Sequence, residues 1–231
     1  MIEAMCGRYT LATPTETLAE LFQLQTALPS LRPRYNIAPT QPVAVVRRST
    51  EGEREMVIMH WGLIPSWAKE PDIGNRLINA RSETVSEKPS FRSAFKRRRC
   101  LVPTDGFYEW QRLNKRKQPH YIRMGDGEPF AFAGLWEHWE GQDETVIESC
   151  TILTTEANAF VRPIHNRMPV IVEPGNYDLW LEAEPDRTGA LAQLMRPFSG
   201  DRLTAFPIST WVNSPKNDDA RCVEPIEHPK D

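Results

Sequence analysis

Six short segments of the sequence combine side chains that react or hydrogen bond with residues that shape the backbone. Five of them contain Cys, Asn, Glu, His or Arg, and five contain Gly, Pro or Trp. The segments are MCGRY (5–9), RYNIAPTQ (34–41), WGLIPSWA (61–68), NARSET (79–84), DGFYEW (105–110) and HNRMP (165–169). A thiol can act as a nucleophile, while carboxyl and imidazole groups can transfer protons. The segments are too polar and too specific in shape to be explained by packing alone.

Taken one at a time, the same residues also have ordinary structural interpretations. Asn36 can cap a turn. Trp61 and Trp67 can be core or rim aromatics instead of stacking platforms. Glu109 can be the solvent-facing residue of a strand, and His165 can be a hydrogen-bonded structural histidine. Only the set as a whole favours a functional site.

The elements that must position these segments are short. A helix is predicted from Thr13 to about Leu24, because Pro14 suits the first helical position and Glu16 completes a capping box with Thr13. A second helix is predicted over 187–195, with shorter helical turns at 156–161 and 177–181. Strand-length apolar or alternating runs occur at 43–46, 56–59, 120–123, 130–135 and 146–153. The fold class is therefore α+β, in which several strands are antiparallel neighbours.

Composition limits the kind of protein. The chain has 231 residues, of which 20 are proline, so long helices are not expected. Its 28 basic and 31 acidic residues give a net charge of −3. This charge excludes a polybasic, non-specific nucleic-acid binder, but it allows a local basic groove. The basic runs 96–99 and 115–117 are interpreted as solvated faces.

Neither export nor metal binding is indicated. There is no run of about 18 apolar residues, and the first ten residues lack the pattern of a signal peptide. Cysteines stand at 6, 100, 150 and 222, without CxxC pairing or the density of secreted proteins. We therefore expect reduced thiols, no metal, no cofactor and a cytoplasmic location.

Together the six segments resemble the SRAP family, the SOS response-associated peptidases that are also called abasic-site processing proteins. The resemblance extends from Met5-Cys6-Gly7 to the late segment PISTWVNSPKND (207–218). It implies a single SRAP-like α+β domain over residues 6–223, with a curved or barrel-like, mostly antiparallel sheet flanked by short helices. Residues 1–5 are then an extension that is absent from the mature protein, and 224–231 form a frayed polar tail.

The resemblance also implies a reaction. A cysteine at the start of the mature chain, here Cys6, condenses through its α-amine with the aldehyde of an abasic site in single-stranded DNA, and its thiolate closes a thiazolidine. Asn79 matches the residue that orients this cysteine, Glu109 the catalytic glutamate, and His165 the histidine of ring opening and reversal. Self-processing peptidase and lyase activities are implied as well.

DNA contacts follow from the same resemblance. Arginines that line the DNA groove are matched by Arg8, Arg81 and Arg167. Trp67 matches the residue that wedges or stacks beside the lesion, and Pro39 lies in the loop near the abasic pocket. The implied partner is single-stranded DNA that contains abasic sites. No membrane contact and no obligate protein partner are expected, and the protein is expected to be a monomer.

The sequence departs from the family pattern at its start. The family places the cysteine directly after the initiator methionine, whereas Met1-Ile2-Glu3-Ala4 precede Met5 here. While residues 1–5 remain attached, the nitrogen of Cys6 is an amide and cannot form an imine. A translation start at Met5, self-cleavage before Cys6 and an artefactual extension are the explanations, and we favour the start at Met5.

Three other functions are weighed against this one. Amidotransferases with an N-terminal cysteine nucleophile also open with Met-Cys-Gly, but they typically continue with isoleucine where this chain has Arg8. A binding module for single-stranded or damaged DNA would need no reactive cysteine. A peptidase built on Cys100 and His165 is disfavoured, because Cys100 begins an apolar run where a buried thiol is commoner.

Overall fold

The structure is a computed structural model that describes residues 6–26, 28–114, 116–182 and 188–227. Within these ranges the strands are β1 (Tyr9–Leu11), β2 (Arg34–Ile37), β3 (Pro42–Arg48), β4 (Arg54–Trp61), β5 (Asn79–Arg81), β6 (Arg99–Thr104), β7 (Gly106–Leu113), β8 (Arg116–Met124), β9 (Phe130–Glu140), β10 (Val146–Glu156), β11 (Arg167–Pro169), β12 (Ile171–Val172) and β13 (Leu203–Pro207). The α-helices are α1 (Thr15–Phe22), α2 (Arg92–Arg97), α3 (Tyr177–Glu182) and α4 (Thr188–Leu194). Short 3-10 turns occupy Pro71–Arg76, Pro174–Asn176, Gly200–Arg202, Thr210–Asn213 and Ala220–Val223.

Five strands close into a barrel in the order β10-β4-β3-β6-β9, and β9 pairs back onto β10. All of these pairs are antiparallel except β10 with β4. A second, antiparallel sheet has the order β13-β8-β7-β1-β2. The predicted α+β class, with a barrel-like and mostly antiparallel sheet flanked by short helices, is confirmed.

Strand β6 is covered on both faces, by the barrel interior and by helices outside, whereas β4 alternates and leaves Ile58 exposed. Every residue of β6 is buried, and α2 and α3 contact this strand. Gly134 on β9 allows the close packing, since a Cβ atom there would lie 2.8 Å from the Sγ of Cys100 and 3.2 Å from the carbonyl oxygen of Thr151. The predicted strand runs all fall within strands, namely β3, β4, β8, β9 and β10.

The first helix is shorter than predicted, and its capping box is not formed. The hydroxyl of Thr13 donates to the carboxylate of Asp105, which also accepts from the amide of Ala12. Thr13 is thus used to tie the start of α1 to the turn before β7. Leu18 and Phe22, four residues apart on one face of α1, are nevertheless fully buried.

The other predicted helices have mixed outcomes. Helix α3 confirms the turn predicted at 177–181. Helix α4 covers 188–194 of the helix predicted at 187–195, whose residue 187 lies outside the described residues. The helical turn predicted near 156–161 lies about two residues later, where the amide of Arg162 donates to the carbonyl oxygen of Asn158 at 3.0 Å. Glu156 ends β10 opposite Arg167, and the side chain of Asn158 then accepts from the amide of Val161 to form a turn.

The segment expected to be a frayed tail is attached to the domain at its start. Pro225 forms a bridge with Ile208, and the amide of Ile226 donates to the carbonyl oxygen of Pro207 at 3.0 Å. Residues 228–231 of this segment lie outside the described residues. Among the residues that the structure describes, no helix combines the length and the apolar character needed to cross a membrane.

Candidate active site

The pairing of β1 with β7 brings Cys6 to Glu109. Tyr9 lies opposite Phe107 in this antiparallel pair, and the amide of Tyr108 donates to the carbonyl oxygen of Arg8 at 3.0 Å. Continuing the same register by two residues puts position 7 opposite Glu109. Strand pairing therefore brings the residue before it, Cys6, close to Glu109.

One carboxyl oxygen of Glu109 contacts both potential nucleophiles of Cys6. The backbone N–H of Cys6 donates to Oε1 at 2.9 Å, and the thiol Sγ lies 2.8 Å from the same oxygen. Glu109 is 2% exposed and Cys6 is 4% exposed. The interpretation of Glu109 as a solvent-facing strand residue is therefore wrong.

His165 lies on the other side of the same carboxyl group. Its Nδ1 is 3.9 Å from Oε2 of Glu109, so the two carboxyl oxygens face different partners. The amide of Arg167 is 3.2 Å from Nδ1 and can donate to it. The carbonyl oxygen of Arg167 is also 3.3 Å from Nδ1, so this ring nitrogen accepts from the amide or donates to the carbonyl oxygen according to the tautomer.

Burial shifts the pKa values of both central groups. It raises the pKa of Glu109, against the opposing effects of His165 and of the hydrogen bonds from Cys6. Burial also raises the pKa of the Cys6 thiol well above its usual value; the charge of Glu109 adds to this effect and Arg167 opposes it. The low-dielectric surroundings therefore disfavour two negative charges, and one proton can be exchanged over 2.8 Å.

The backbone of Cys6 is held in an uncommon conformation. Its φ of 46° lies in the left-handed region, which is costly for residues other than glycine. Such a conformation persists only when surrounding contacts hold it, and here the two contacts with Glu109 do so. The amino terminus of β1 is thus turned into the site instead of continuing the strand.

Asn79 is the first residue of β5, opposite Ile152 in a parallel pairing with β10. The preceding residue, Ile78, accepts the indole N–H of Trp61 at 2.9 Å. Trp61 is fully buried and packs edge-on against Tyr9 at 5.3 Å, which confirms its interpretation as a core aromatic. Asn79 is partly buried, and its role in orienting Cys6 stays a prediction.

Arg8 is committed to contacts within the protein. Its Nη1 donates to the side-chain oxygen of Asn36 at 2.8 Å and to the carbonyl oxygen of Val212 at 2.8 Å, and its Nη2 donates to the carbonyl oxygen of Asn213 at 3.3 Å. Burial lowers the pKa of Arg8. This guanidinium therefore ties the strand that carries Cys6 to the C-terminal segment, and only part of its donor capacity is left for a phosphate.

Arg167 is likewise engaged, whereas Arg81 is exposed. Arg167 forms a two-pronged ion pair with the carboxylate of Glu83 and donates to the carbonyl oxygen of Thr154 at 2.7 Å. Its side chain is 11% exposed. Arg81 ends β5 opposite Thr154 and is exposed. Of the three arginines expected to line a DNA groove, Arg81 is the one whose side chain solvent can reach freely.

Trp67 and Pro39 are both accessible from outside. Trp67 is 58% exposed, a high value for so large an apolar side chain, and its indole nitrogen lies 3.5 Å from the carbonyl oxygen of Pro89. Pro39 is partly buried in the turn after β2. The next residue, Thr40, has a φ of 67° and donates its amide to the carbonyl oxygen of Trp61. Their contacts with DNA stay predictions.

The interpretation of Asn36 as a turn cap is wrong. Asn36 is fully buried on β2, and its amide donates to the carbonyl oxygens of Val212, Ser214 and Asn217. The carboxylate of Asp218 also accepts a hydrogen bond from the backbone N–H of Asn36. The contact between these two segments leaves no local signal in the sequence, because the partners are about 180 residues apart.

Removal of the Asn36 amide should destabilise the protein strongly. Asn36→Ala removes the donor to the carbonyl oxygens of Val212, Ser214 and Asn217 and one acceptor of Arg8, so we expect the free energy of unfolding to fall by about 2–4 kcal/mol. Denaturant unfolding measures this change. Asn75→Ala, at an exposed position in the 3-10 turn Pro71–Arg76, is the matched control and should change stability by less than about 0.5 kcal/mol. Equal effects of the two variants would contradict the assignment.

Cys100 does not form a second site. It is fully buried on β6, and burial raises its thiol pKa well above the usual value. Neither accessibility nor thiolate character supports a peptidase built on this residue and His165.

Comparison with known proteins then identifies the family. The family model for SOS response associated peptidase (SRAP) matches residues 5–215. The chain belongs to the SRAP family. Its match begins one residue before Cys6 and ends within the C-terminal segment that contacts Arg8 and Asn36, so Cys6, Glu109 and His165 all lie inside the SRAP domain.

Relatives of the SRAP domain cover nearly the whole chain. "Abasic site processing protein YoqW" of Bacillus subtilis is 41% identical over 223 residues, which cover 95% of this chain and 99% of that protein. "Abasic site processing protein HMCES" of Gallus gallus is 33% identical over 227 residues, covering 85% of this chain and 67% of that protein. A crystal structure of a protein from Bacteroides thetaiotaomicron superposes with a TM-score of 0.86 at 27% identity, covering 96% of this chain and 100% of that one.

Proposed function

We propose that this SRAP protein, in a form that begins at Cys6, captures abasic sites in single-stranded DNA as a covalent thiazolidine. The observation that carries the proposal is the position of one buried carboxyl oxygen of Glu109, 2.9 Å from the nitrogen and 2.8 Å from the sulfur of the same residue. Both relatives described above are named abasic site processing proteins. The substrate class is taken from those names.

The reaction balances without a cofactor. The α-amine of Cys6 attacks the aldehyde carbon of the ring-opened abasic sugar, and loss of water gives an imine. The sulfur then adds to the imine carbon while its proton passes to the nitrogen, which closes a five-membered ring. A base placed between nitrogen and sulfur suits this exchange, because the free amine and thiol are both largely protonated at neutral pH.

Glu109 is the group that moves the proton. Its raised pKa brings it closer to the working pH than that of an exposed carboxyl group. His165, on the other carboxyl oxygen, supplies the proton transfer that opens the deoxyribose ring, and Asn79 orients Cys6. Arg81, Trp67 and Pro39 border the path of the DNA, while Arg8 and Arg167 add positive potential and hold the site together.

The same contact supports removal of the residues that precede Cys6. Hydrolysis of the Met5–Cys6 peptide bond requires a proton for the departing nitrogen, and the carboxyl group of Glu109 lies 2.9 Å from that nitrogen. The product is the free α-amine that the capture reaction needs. Lyase activity belongs to the proposal as a side reaction, since the imine acidifies the adjacent carbon and ring closure competes with elimination.

Oligonucleotides that differ only at the lesion test the proposal. Protein that begins at Cys6 is incubated with a single strand carrying a true abasic site, or with the same strand carrying a tetrahydrofuran analogue, which has no aldehyde. We expect a species that resists denaturing gels only with the true site, with the mass of protein plus DNA minus one water. Similar non-covalent binding to both strands without any covalent product would favour a simple binding module instead.

A further inference from the structure

A row of three exposed basic side chains begins beside Trp67. Lys88, Arg92 and Lys96 are spaced four residues apart, and all three are exposed. Arg92 and Lys96 lie on α2, and the amide of Arg92 donates to the carbonyl oxygen of Lys88 at 2.9 Å, so Lys88 belongs to the same helical turn. Residues four apart share one face of a helix. We call these three residues the basic stripe.

The fold does not neutralise the basic stripe. Like charges four residues apart repel one another, and none of the three makes an ion pair within the described part of the chain. The neighbouring arginines behave differently: Arg98 pairs with Glu137, and Arg99 is buried against backbone carbonyl groups. The interpretation of 96–99 as a solvated face therefore holds for its first two residues and is wrong for the other two.

The basic stripe lies close to Arg81 along the chain and next to Trp67 in space, two of the residues proposed to border the DNA. The amide of Thr84 donates to the carbonyl oxygen of Arg81 at 3.1 Å, and the amide of Lys88 donates to that of Thr84 at 3.0 Å. Two hydrogen-bonded turns thus connect Arg81 to Lys88. On the other side, the indole nitrogen of Trp67 lies 3.5 Å from the carbonyl oxygen of Pro89, the residue that follows Lys88.

We propose that the basic stripe binds the backbone phosphates of the DNA that flanks the lesion, beyond Trp67. This inference rests on the proposed function for the site itself. An exposed aromatic ring followed by a row of cations is the arrangement that holds single strands without reading their sequence. Arg92 and Lys96 lie about 6 Å apart along α2 at about 1.5 Å per residue, and Lys88 extends the row beyond them, so the stripe can contact more than one phosphate of a strand.

Substrate length provides the test. Lys88→Gln/Arg92→Gln/Lys96→Gln is compared with the unmodified protein on undamaged single strands, one short and others lengthened on the 5′ or the 3′ side. We expect the variant to bind one lengthened strand about tenfold more weakly at low salt and the short strand within about twofold. The slope of log Kd against log salt should become shallower by about 2, because each single-strand phosphate contributes about 0.7.

A matched variant separates position from total charge. Arg32→Gln/Lys117→Gln/Arg196→Gln removes the same charge from exposed residues outside the stripe, and it should leave the length dependence intact. Equal losses in the two triple variants, or no change of the salt slope in the stripe variant, would overturn the inference. Melting temperatures of both variants establish that they fold. Since undamaged DNA is used, failure of the crosslinking reaction would overturn the proposed function without affecting this test.

Discussion

Replacing Cys6 by Ser, in protein that begins at residue 6, should reduce the stable crosslink to abasic DNA by at least about 100-fold. The serine keeps the α-amine, so the imine can still form. A hydroxyl is a far weaker nucleophile than a thiolate, so ring closure fails and the imine hydrolyses again. Denaturing gels of the reaction with a true abasic site measure the loss.

Two companion measurements locate the defect at the sulfur. Borohydride reduces an imine to a stable amine, so it should restore the covalent species with Cys6→Ser. A form that keeps Met5 before Cys6 has an amide nitrogen at Cys6, cannot close the thiazolidine, and should give no stable crosslink without borohydride. Non-covalent affinity for the tetrahydrofuran analogue should change by less than about twofold in both forms. A full yield of crosslink from Cys6→Ser without borohydride would contradict the thiazolidine.

The strands could be predicted from local pattern, whereas the closure of the barrel could not. Runs of β-branched and apolar residues such as Val43–Val46 mark strands wherever they pair. The parallel contact of β4 with β10, which closes the barrel, joins His60 to Ser149. Pairing over such a separation depends on the whole packing arrangement and leaves no local signal. In the first helix a local pattern misleads. Thr13 is predicted to cap the helix, but its hydroxyl donates instead to the distant carboxylate of Asp105.

In the candidate site, too, the residue types can be predicted from the sequence but their contacts cannot. The types of the reactive residues are visible in the sequence, and the family resemblance points to Cys6 and Glu109. Their contact depends on the register of β1 against β7, about 100 residues away along the chain. The engagement of Arg167 by Glu83 is equally invisible, although both residues stand in quoted segments. From the sequence alone, the Arg167 guanidinium is expected to be available to DNA, whereas in the fold it is paired with Glu83.

Replacing Glu109 by Gln should slow crosslinking by about 10²–10³-fold while leaving DNA affinity nearly unchanged. The amide keeps an oxygen that accepts from Cys6, so the geometry is preserved, but it cannot take up or release a proton at working pH. Single-turnover rates at saturating abasic DNA measure the effect. Glu109→Asp keeps a carboxyl group at a greater distance from Cys6. Its crosslinking rate should lie between the rates of the unmodified protein and of Glu109→Gln.

The pH profile identifies proton transfer as the cause. With Glu109 present, the rate should rise with pH as the carboxyl group loses its proton, at a pH above the usual range for glutamate because burial raises its pKa. Glu109→Gln should lack this acidic limb. A variant that is slower by the same factor at every pH and keeps the limb would show that Glu109 acts only by positioning Cys6.

Glu109→Gln should lower the crosslinking rate but raise the stability of the folded protein at neutral pH. Because burial raises the pKa of Glu109, the folded protein retains that proton at a pH where the unfolded chain has lost it. The unmodified protein therefore loses stability as the pH rises from about 4.3, the value for an exposed glutamate, through the folded-state pKa. Glu109→Gln carries no such charge, so its Tm at neutral pH should be higher by about 3 °C, equivalent to about 1 kcal/mol in a domain of this size. The difference should vanish in acid, and a lower Tm for the variant at neutral pH would contradict the burial of an unfavourable charge at the reacting cysteine.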